Sequence, residues 1–547
     1  MKSKSNFLKK LSSAYPFNYV LSFPTYTLGS LFILFFIIIM LSLSLFKDYQ
    51  KLNGDRKNNF NNKIKLLINK KSLSNIYLPV LLFIIAFVWR LYHINTFFLG
   101  CDCAFTIFHS QESAYDILTL PASGEANPPL FMFLLHFWIK LFGISIYSVR
   151  ILPILFSSLT VVFIYFSGKK ISGVSTGILA SGIYILSAYN ISFGMDVRAY
   201  SLLSMLTAAS LYFFLSLISN NVSKRNLLLL IISNSLLIYT HYLGWFIIGM
   251  QFLTGLIYLK NRKIFKSIII SIIITCVAYA PMFPIIIKQY FISVKDYHRQ
   301  YLLNLDFSEY LFQISSLLNS KPVFFIIIFI LLAGIINVLF INKSRKKIPR
   351  NIIVIFLWWF VPFTFMFLIT KKVPIFLDKY LLFNSIGLYL FIGYSINLMF
   401  KSMHARVLGA LFLIFMFSQI DLKFRHYNHS EVQKSVNEIK KKYDNRVIVI
   451  FNSFFKYQFM YYYDQNIFRD YENFNSLLYK NKILPVDDLN EAKEGIKKLQ
   501  KTKFIITPLH GPEIKSFELD GNRYLHEESF FYVYRMNIRV FRLENSM

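Results

Sequence analysis

Runs of about 20 apolar residues recur along most of this chain, and no other feature limits its fold so strongly. In hydrocarbon every backbone N–H and C=O needs an internal partner, so only helices or closed barrels can cross. The runs are continuous and do not alternate with polar residues, which selects helices. We read spans at Leu28–Phe46, Tyr77–Ile94, Val149–Phe166, Val174–Asn190, Ser201–Ser219, Leu227–Tyr239, Trp245–Leu259, Ser267–Ile287, Val323–Ile341, Ile352–Ile369, Leu381–Met399 and Val407–Ile420. The composition agrees: 55% hydrophobic and 16% charged, against about 25% charged in soluble domains. The expectation is an all-α polytopic membrane bundle of about 11–12 transmembrane helices.

The net charge of +31 invites a nucleic-acid reading, and its placement argues against one. Residues 421–547 carry 21 Lys and Arg against 17 Asp and Glu, a balance of only +4, so +27 lies in residues 1–420. Alternate connections hold the bases: eight in 47–75, two in 168–173, two in 220–226, four in 260–266, five in 342–350 and two in 401–406. The connection 95–128 has none. This is the positive-inside pattern, so the basic side is expected to be cytoplasmic. Residues 1–27, with four lysines, fall on the wrong side for this rule. Leu28–Phe46 is therefore read as an extra apolar segment, without a fixed orientation.

Two further segments differ from the spans. Residues 130–143 are apolar but short, and read as an amphipathic helix in the outer interface, started by Pro128-Pro129. From 421 the pattern becomes that of a small α/β domain. Helices are expected at 431–443 and 487–500, strands at 446–451 and 503–507, and a hairpin or long strand at 530–543. Three regions result: 1–75, 76–420 and 421–547.

Ionisable residues cluster at the expected outer rim. Asp102 opens the acid-rich, base-free connection 95–128, which also holds Glu125 and Asn127. Asp196, Arg198 and Tyr200 follow one another at i, i+2 and i+4 between two spans, either as site residues or as an interfacial ion pair. His241 ends a span, as an aromatic-belt residue or a ligand for phosphate, metal or acceptor. Lys379-Tyr380 opens a late span, as a phosphate contact or a snorkelling anchor. Lys295 and Arg299 add positive charge at the same face. Cys101 and Cys103 flank Asp102 and read as inert thiols, because a Cys-x-Cys pair makes a strained disulfide and half a metal site at best. No zinc, Walker or placed Rossmann motif occurs, and no metal ligand set is assigned.

In that order these residues resemble a known family. Arg90-Leu91-Tyr92-His93, Asp102, Asn127-Pro128-Pro129-Leu130-Phe131, Arg150-Ile151-Leu152-Pro153, Met195-Asp196-Val197-Arg198-Ala199-Tyr200, Tyr239-Thr240-His241-Tyr242 and Lys379-Tyr380 are similar to the GT-C superfamily of membrane glycosyltransferases. The nearest branch is the protein O-mannosyltransferase and aminoarabinose transferase group. The resemblance spans roughly 76–400. It implies the GT-C fold and an inverting transfer from a polyprenyl-phosphate sugar to a lipid, glycan or protein acceptor. It also implies that Asp102 is the base and Asp196 the second-loop acid. The family's Asp-Glu is Asp102-Cys103 here, so a divalent metal stays open as a cofactor but the second carboxylate is missing. The family's late Arg-Tyr is Lys379-Tyr380, which keeps the charge and loses the bidentate fork.

The expectation is therefore an inner-membrane, multi-pass glycosyltransferase, mannosyltransferase-like. Its loops and C-terminal domain would lie outside the cytoplasm, the domain covering the site or recognising the acceptor. Membrane lipid is a partner and nucleic acid is not. Two alternatives remain: a flippase-like lipid or polysaccharide transporter, and a non-catalytic membrane subunit of the same fold. A transporter needs charge near the midplane, whereas here it gathers at the rim.

Overall fold

The computed structural model describes residues 73–544 with internal breaks, the longest at 297–305, 337–349 and 419–428. The apolar segment Leu28–Phe46, Arg299 and the side chain of Lys295 lie outside the described residues.

The eleven expected spans from Tyr77 onward each fall on helices over their described residues. They are α1 (Leu78–Tyr92), then, after the loop helices α2 (Cys101–His109) and α3 (Leu130–Phe142), α4 (Ile146–Ser172) and α5 (Val174–Leu186) with α6 (Ala188–Gly194). Next come α7 (Tyr200–Ile218), α8 (Lys224–Thr240), α9 (Gly244–Gly255), α10 (Arg262–Ala278) with α11 (Phe283–Asp296), and α12 (Phe307–Leu317) leading into α13 (Lys321–Ile336). The last are α14 (Arg350–Ile369), α15 (Asn384–Met399) and α16 (Met403–Ser418). Among the described residues four helices are long and apolar enough to cross a bilayer unaided, or seven spans if each of three bent pairs counts as one. α4 packs against α1, α5 and α7, and α15 against α5 and α14, which makes these the centre of the bundle. α5 and α15 are buried along nearly their whole length.

Small residues allow the tightest of these contacts. A Cβ on Gly168 of α4 would lie 2.7 Å from the Gly177 Cα of α5, and one on Gly177 would lie 2.5 Å from the Tyr165 carbonyl oxygen. Lipid tails are as apolar as leucine, so close backbone packing is what holds such helices together. Between them Gly173, at φ +104°, makes the turn. Deeper in the bundle, Asn234 Nδ2 donates to Gln251 Oε1 (2.8 Å), Gln251 Nε2 donates to Ser210 Oγ (2.7 Å), and Ser210 Oγ donates to Asn234 Oδ1 (2.7 Å). This network joins α7, α8 and α9 without an unpaired amide.

The 65° bend between α5 and α6 leaves backbone groups without helical partners, and Asn319 takes them. Its Oδ1 accepts from the Ala188 N–H (2.8 Å), and its Nδ2 donates to the Leu186 and Phe417 carbonyls (both 2.9 Å). Asn319 itself sits at φ +63°, a region asparagine tolerates, in the 92° bend between α12 and α13. A residue of the second break therefore satisfies the first. Asn319→Ala is expected to lower stability by roughly 1–3 kcal/mol, read as a fall in the thermal midpoint of the detergent-solubilised protein. An unchanged midpoint would mean the bend holds without Asn319.

From residue 429 the chain forms α17 (His429–Lys442), β1 (Arg446–Phe451), α18 (Lys456–Tyr463), β2 (Ile483–Val486), α19 (Leu489–Lys497), β3 (Phe504–His510), β4 (Ser516–Leu519), β5 (Asn522–Val533) and β6 (Met536–Leu543). The strands make one six-stranded sheet, ordered β2-β1-β3-β6-β5-β4. β1 is parallel to β2 and β3; the other pairs are antiparallel. The expected hairpin is β5–β6, longer than its sequence signal because β5 starts at Asn522. The strands at 483–486 and 516–519 had no separate sequence signal, being only four residues each.

One expectation changes. The stretch 95–128, read as an open connection, contains α2, and Asp102 stands in its first turn. The apolar set Cys103, Ala104, Ile107 and Phe108 is buried against the body of the protein. A nine-residue helix carries too few turns for its period to show in sequence.

Candidate active site

Loops far apart in sequence converge at one rim of the bundle. Asp102 on α2 meets Lys379, which lies in the 3₁₀ turn Asp378–Tyr380 ahead of α15; Lys379 Nζ donates to Asp102 Oδ2 at 2.6 Å. Arg198, between α6 and α7, meets Glu125 at 3.3 Å and donates to Thr106 Oγ1 at 2.7 Å. Glu125 Oε1 also accepts from Asn127 Nδ2 (3.0 Å). Gln289 of α11 donates to the backbone carbonyls of Glu125 and Pro121 and accepts from Tyr242, which ties down the loop that carries Glu125. Tyr200, His241 and Tyr380 form an aromatic group, with ring centroids 6.3 Å apart for Tyr200–His241, 6.0 Å for Tyr200–Tyr380 and 5.3 Å for His241–Tyr380. The Lys379 ammonium lies 5.6 Å from the Tyr380 ring centroid.

The two ion pairs differ in kind. The side chains of Arg198 and Glu125 are 10% and 8% exposed, those of Lys379 and Asp102 31% and 39%. Breaking a buried pair costs several kcal/mol, whereas a half-exposed pair is worth about 0–1 kcal/mol. Arg198–Glu125 is thus a fixed strut, and Lys379–Asp102 can be exchanged cheaply. Burial works against the Lys379 charge, and the facing Tyr200 and Asp102 oxygens outweigh it, so its pKa lies above the ordinary lysine value. Lys379 is a cation throughout the neutral range.

Asp196 is half-buried on the turn before α7. It lies within electrostatic reach of Cys103: burial first, then Asp196 and Asp102, push that thiol up to about 12. Burial and Asp102 push Cys101 up as well. Both thiols are therefore protonated at neutral pH and inert. Among the described residues no three His, Cys, Asp or Glu side chains gather closely enough to hold a metal ion.

Several contributors had no sequence signal of their own. Thr106 lies one helical turn after Asp102, a relation visible only once α2 is a helix. Others come from the C-terminal region, where α18 clamps the peptide leading into α2. Gln458 Nε2 donates to the Leu99 carbonyl (2.6 Å), Cys101 Sγ donates to Gln458 Oε1 (2.9 Å), and the Leu99 N–H donates to Tyr462 Oη (2.8 Å). Tyr461 adds a bond to the Ile144 carbonyl (2.9 Å). The C-terminal region thus holds the Asp102 helix in place.

The comparisons with known proteins agree with this architecture. Residues 126–287 match the dolichyl-phosphate-mannose-protein mannosyltransferase family, a segment that includes Arg198 and His241 but neither Asp102 nor Lys379. ArnT from Cupriavidus metallidurans in the apo state superposes with a TM-score of 0.55 at 11% identity, over 84% of this chain and 97% of that one. The same protein bound to undecaprenyl phosphate gives 0.53 at 11% identity, with the same coverage. No curated protein matches the chain in sequence. The helical bundle is a GT-C fold. Over residues 126–287, under a third of its length, the chain is similar to that mannosyltransferase family, and over most of its length it shares the fold of ArnT.

Proposed function

We propose that this protein transfers one sugar from a polyprenyl-phosphate donor to a hydroxyl acceptor on a lipid, glycan or protein, at the extracytoplasmic face of a bacterial inner membrane. Residues 76–420 would form the transferase unit and 421–547 an outer domain. The observation that carries the reading is the Lys379–Asp102 pair, a base and a phosphate-binding cation 2.6 Å apart at the bundle rim. The face follows from the charge asymmetry of the loops, since the site-bearing connection 95–128 has no Lys or Arg. The segment match to a mannosyltransferase family and the ArnT complex with undecaprenyl phosphate support this donor class.

The chemistry follows from the exchangeable pair. An arriving phosphate competes for the Lys379 ammonium, and the half-exposed ion pair gives way at little cost. Asp102 is then left to accept the proton of the acceptor hydroxyl. The acceptor oxygen forms its bond to the anomeric carbon from the opposite side as the carbon–oxygen bond to phosphate breaks, which inverts that centre. The leaving electron pair stays on the polyprenyl phosphate, whose growing charge Lys379 stabilises. Arg198, paired with Glu125, holds the α6–α7 turn, and with it Asp196, against α2 through its bond to Thr106.

The test is transfer of radiolabelled sugar from polyprenyl-phosphate donors in membranes bearing the full-length protein. Lys379→Met is expected to cut turnover by roughly 10²–10³-fold, the loss seen when one donor to a developing oxyanion is removed. Lys379→Arg keeps the charge and should retain most of it. A wild-type protein that binds polyprenyl phosphate yet transfers no sugar from any such donor would defeat the reading in favour of a transporter or a scaffold.

A further inference from the structure

His241 and Tyr200 each bury a polar atom that meets no partner among the described residues. His241 is 5% exposed and Tyr200 2%, and among the described residues neither His241 Nε2 nor Tyr200 Oη has a hydrogen-bond partner. Leaving such a group unmet is costly, so two orphans on neighbouring rings beside a site are candidates for contact with another molecule's atom.

The backbone sets what His241 can offer. His241 ends α8, and the Leu243 N–H, just ahead of α9 and so without an earlier helical carbonyl, donates to His241 Nδ1 at 3.2 Å. That bond uses the ring's one lone pair, so the proton of the neutral imidazole sits on Nε2. Burial, then Arg198 and Lys379, lower the pKa to about 3, which keeps the ring neutral. His241 Nε2 is therefore a donor only. It cannot ligate a metal or act as a base while the Leu243 bond stands. Of the roles open to this histidine from sequence, contact with a ligand oxygen remains.

We propose that His241 Nε2–H and Tyr200 Oη–H form a neutral two-donor seat for a phosphoryl oxygen of the polyprenyl-phosphate carrier. The assignment rests on the donor class proposed above. An anionic oxygen is the strongest acceptor available at such a place, and Arg198 and Lys379 lie within electrostatic reach of both groups. Neutral donors add direction without a third cation, so the seat holds the phosphate without trapping it by charge.

The experiment measures binding of undecaprenyl phosphate and of undecaprenol, which lacks the phosphate, to the full-length protein in nanodiscs. His241→Ala and Tyr200→Phe are expected to weaken undecaprenyl phosphate binding by roughly 10- to 100-fold, as for a lost hydrogen bond to a charged group. His241→Gln, which carries an N–H donor to similar reach, should stay within about threefold. Undecaprenol should bind equally to all four proteins, which separates loss of the seat from loss of the fold. Undecaprenyl phosphate bound normally by both loss variants would overturn the proposal and leave the donor class standing. Equal loss of undecaprenol would overturn it by making the two residues structural. Inorganic phosphate competing as strongly as the lipid would overturn the lipid assignment. Wild-type protein binding neither lipid would overturn the seat and the donor class together.

Discussion

Asp102→Asn is expected to lower sugar transfer by roughly 10²–10⁴-fold, the range general bases contribute, while leaving the protein folded and its phosphate-lipid binding intact. The substitution is nearly isosteric, so the first turn of α2 and the Thr106 hydroxyl bond to the residue 102 carbonyl persist. What disappears is the proton acceptor. The stability cost is small because the lost ion pair is more than a third exposed on its Asp102 side and such pairs are worth about 0–1 kcal/mol. Turnover of single-labelled donor, with binding measured in parallel, checks this. Transfer at the wild-type rate would remove Asp102 as the base and turn attention to Asp196.

Glu125→Ala should have the largest effect on stability, about 3–5 kcal/mol, because it strips the counterion from a buried charge. Burial works against the Arg198 guanidinium, and Glu125 is the largest influence that offsets it, leaving its pKa above the ordinary arginine value. Arginine has no proton it can shed at working pH, so the charge stays when its partner goes. The remaining bond to Thr106 Oγ1 does not neutralise it. The expected readout is a large fall in thermal midpoint and in yield of monodisperse protein. The double change Glu125→Leu with Arg198→Met should recover much of that loss, since apolar replacement of a buried pair is often neutral. A wild-type midpoint in Glu125→Ala would show that Arg198 does not depend on this carboxylate. Lys379 offers the contrast, since its pair is half-exposed and its loss should appear in turnover more than in melting.

The helical spans were legible because each one repeats the same local signal over 13 or more residues. The bends were not: Asn319 serves a break more than 130 residues away in sequence, and nothing near Ala188 announces it. The rim residues could be named from charge placed beside apolar runs, and Asp102, Glu125, Arg198, Tyr200, His241, Lys379 and Tyr380 do come together. Their pairing could not be read. Sequence allowed Arg198 a partner two residues away in Asp196, yet the acid it meets is Glu125, because the loop that Gln289 ties down and the turn before Tyr200 carry those side chains to the same place.

Sequence alone therefore determined the class of solvent this chain folds in, the order of its apolar helical segments, and the rim where its charges collect. These follow from hydropathy and charge bias, which are sums over neighbouring residues. Only tertiary structure decided which carboxylate meets which cation, and that Gln458 and Tyr462 hold the Asp102 helix from more than 350 residues away. Those outcomes depend on single hydrogen bonds between distant segments, and such a bond leaves no trace in the local pattern of either one.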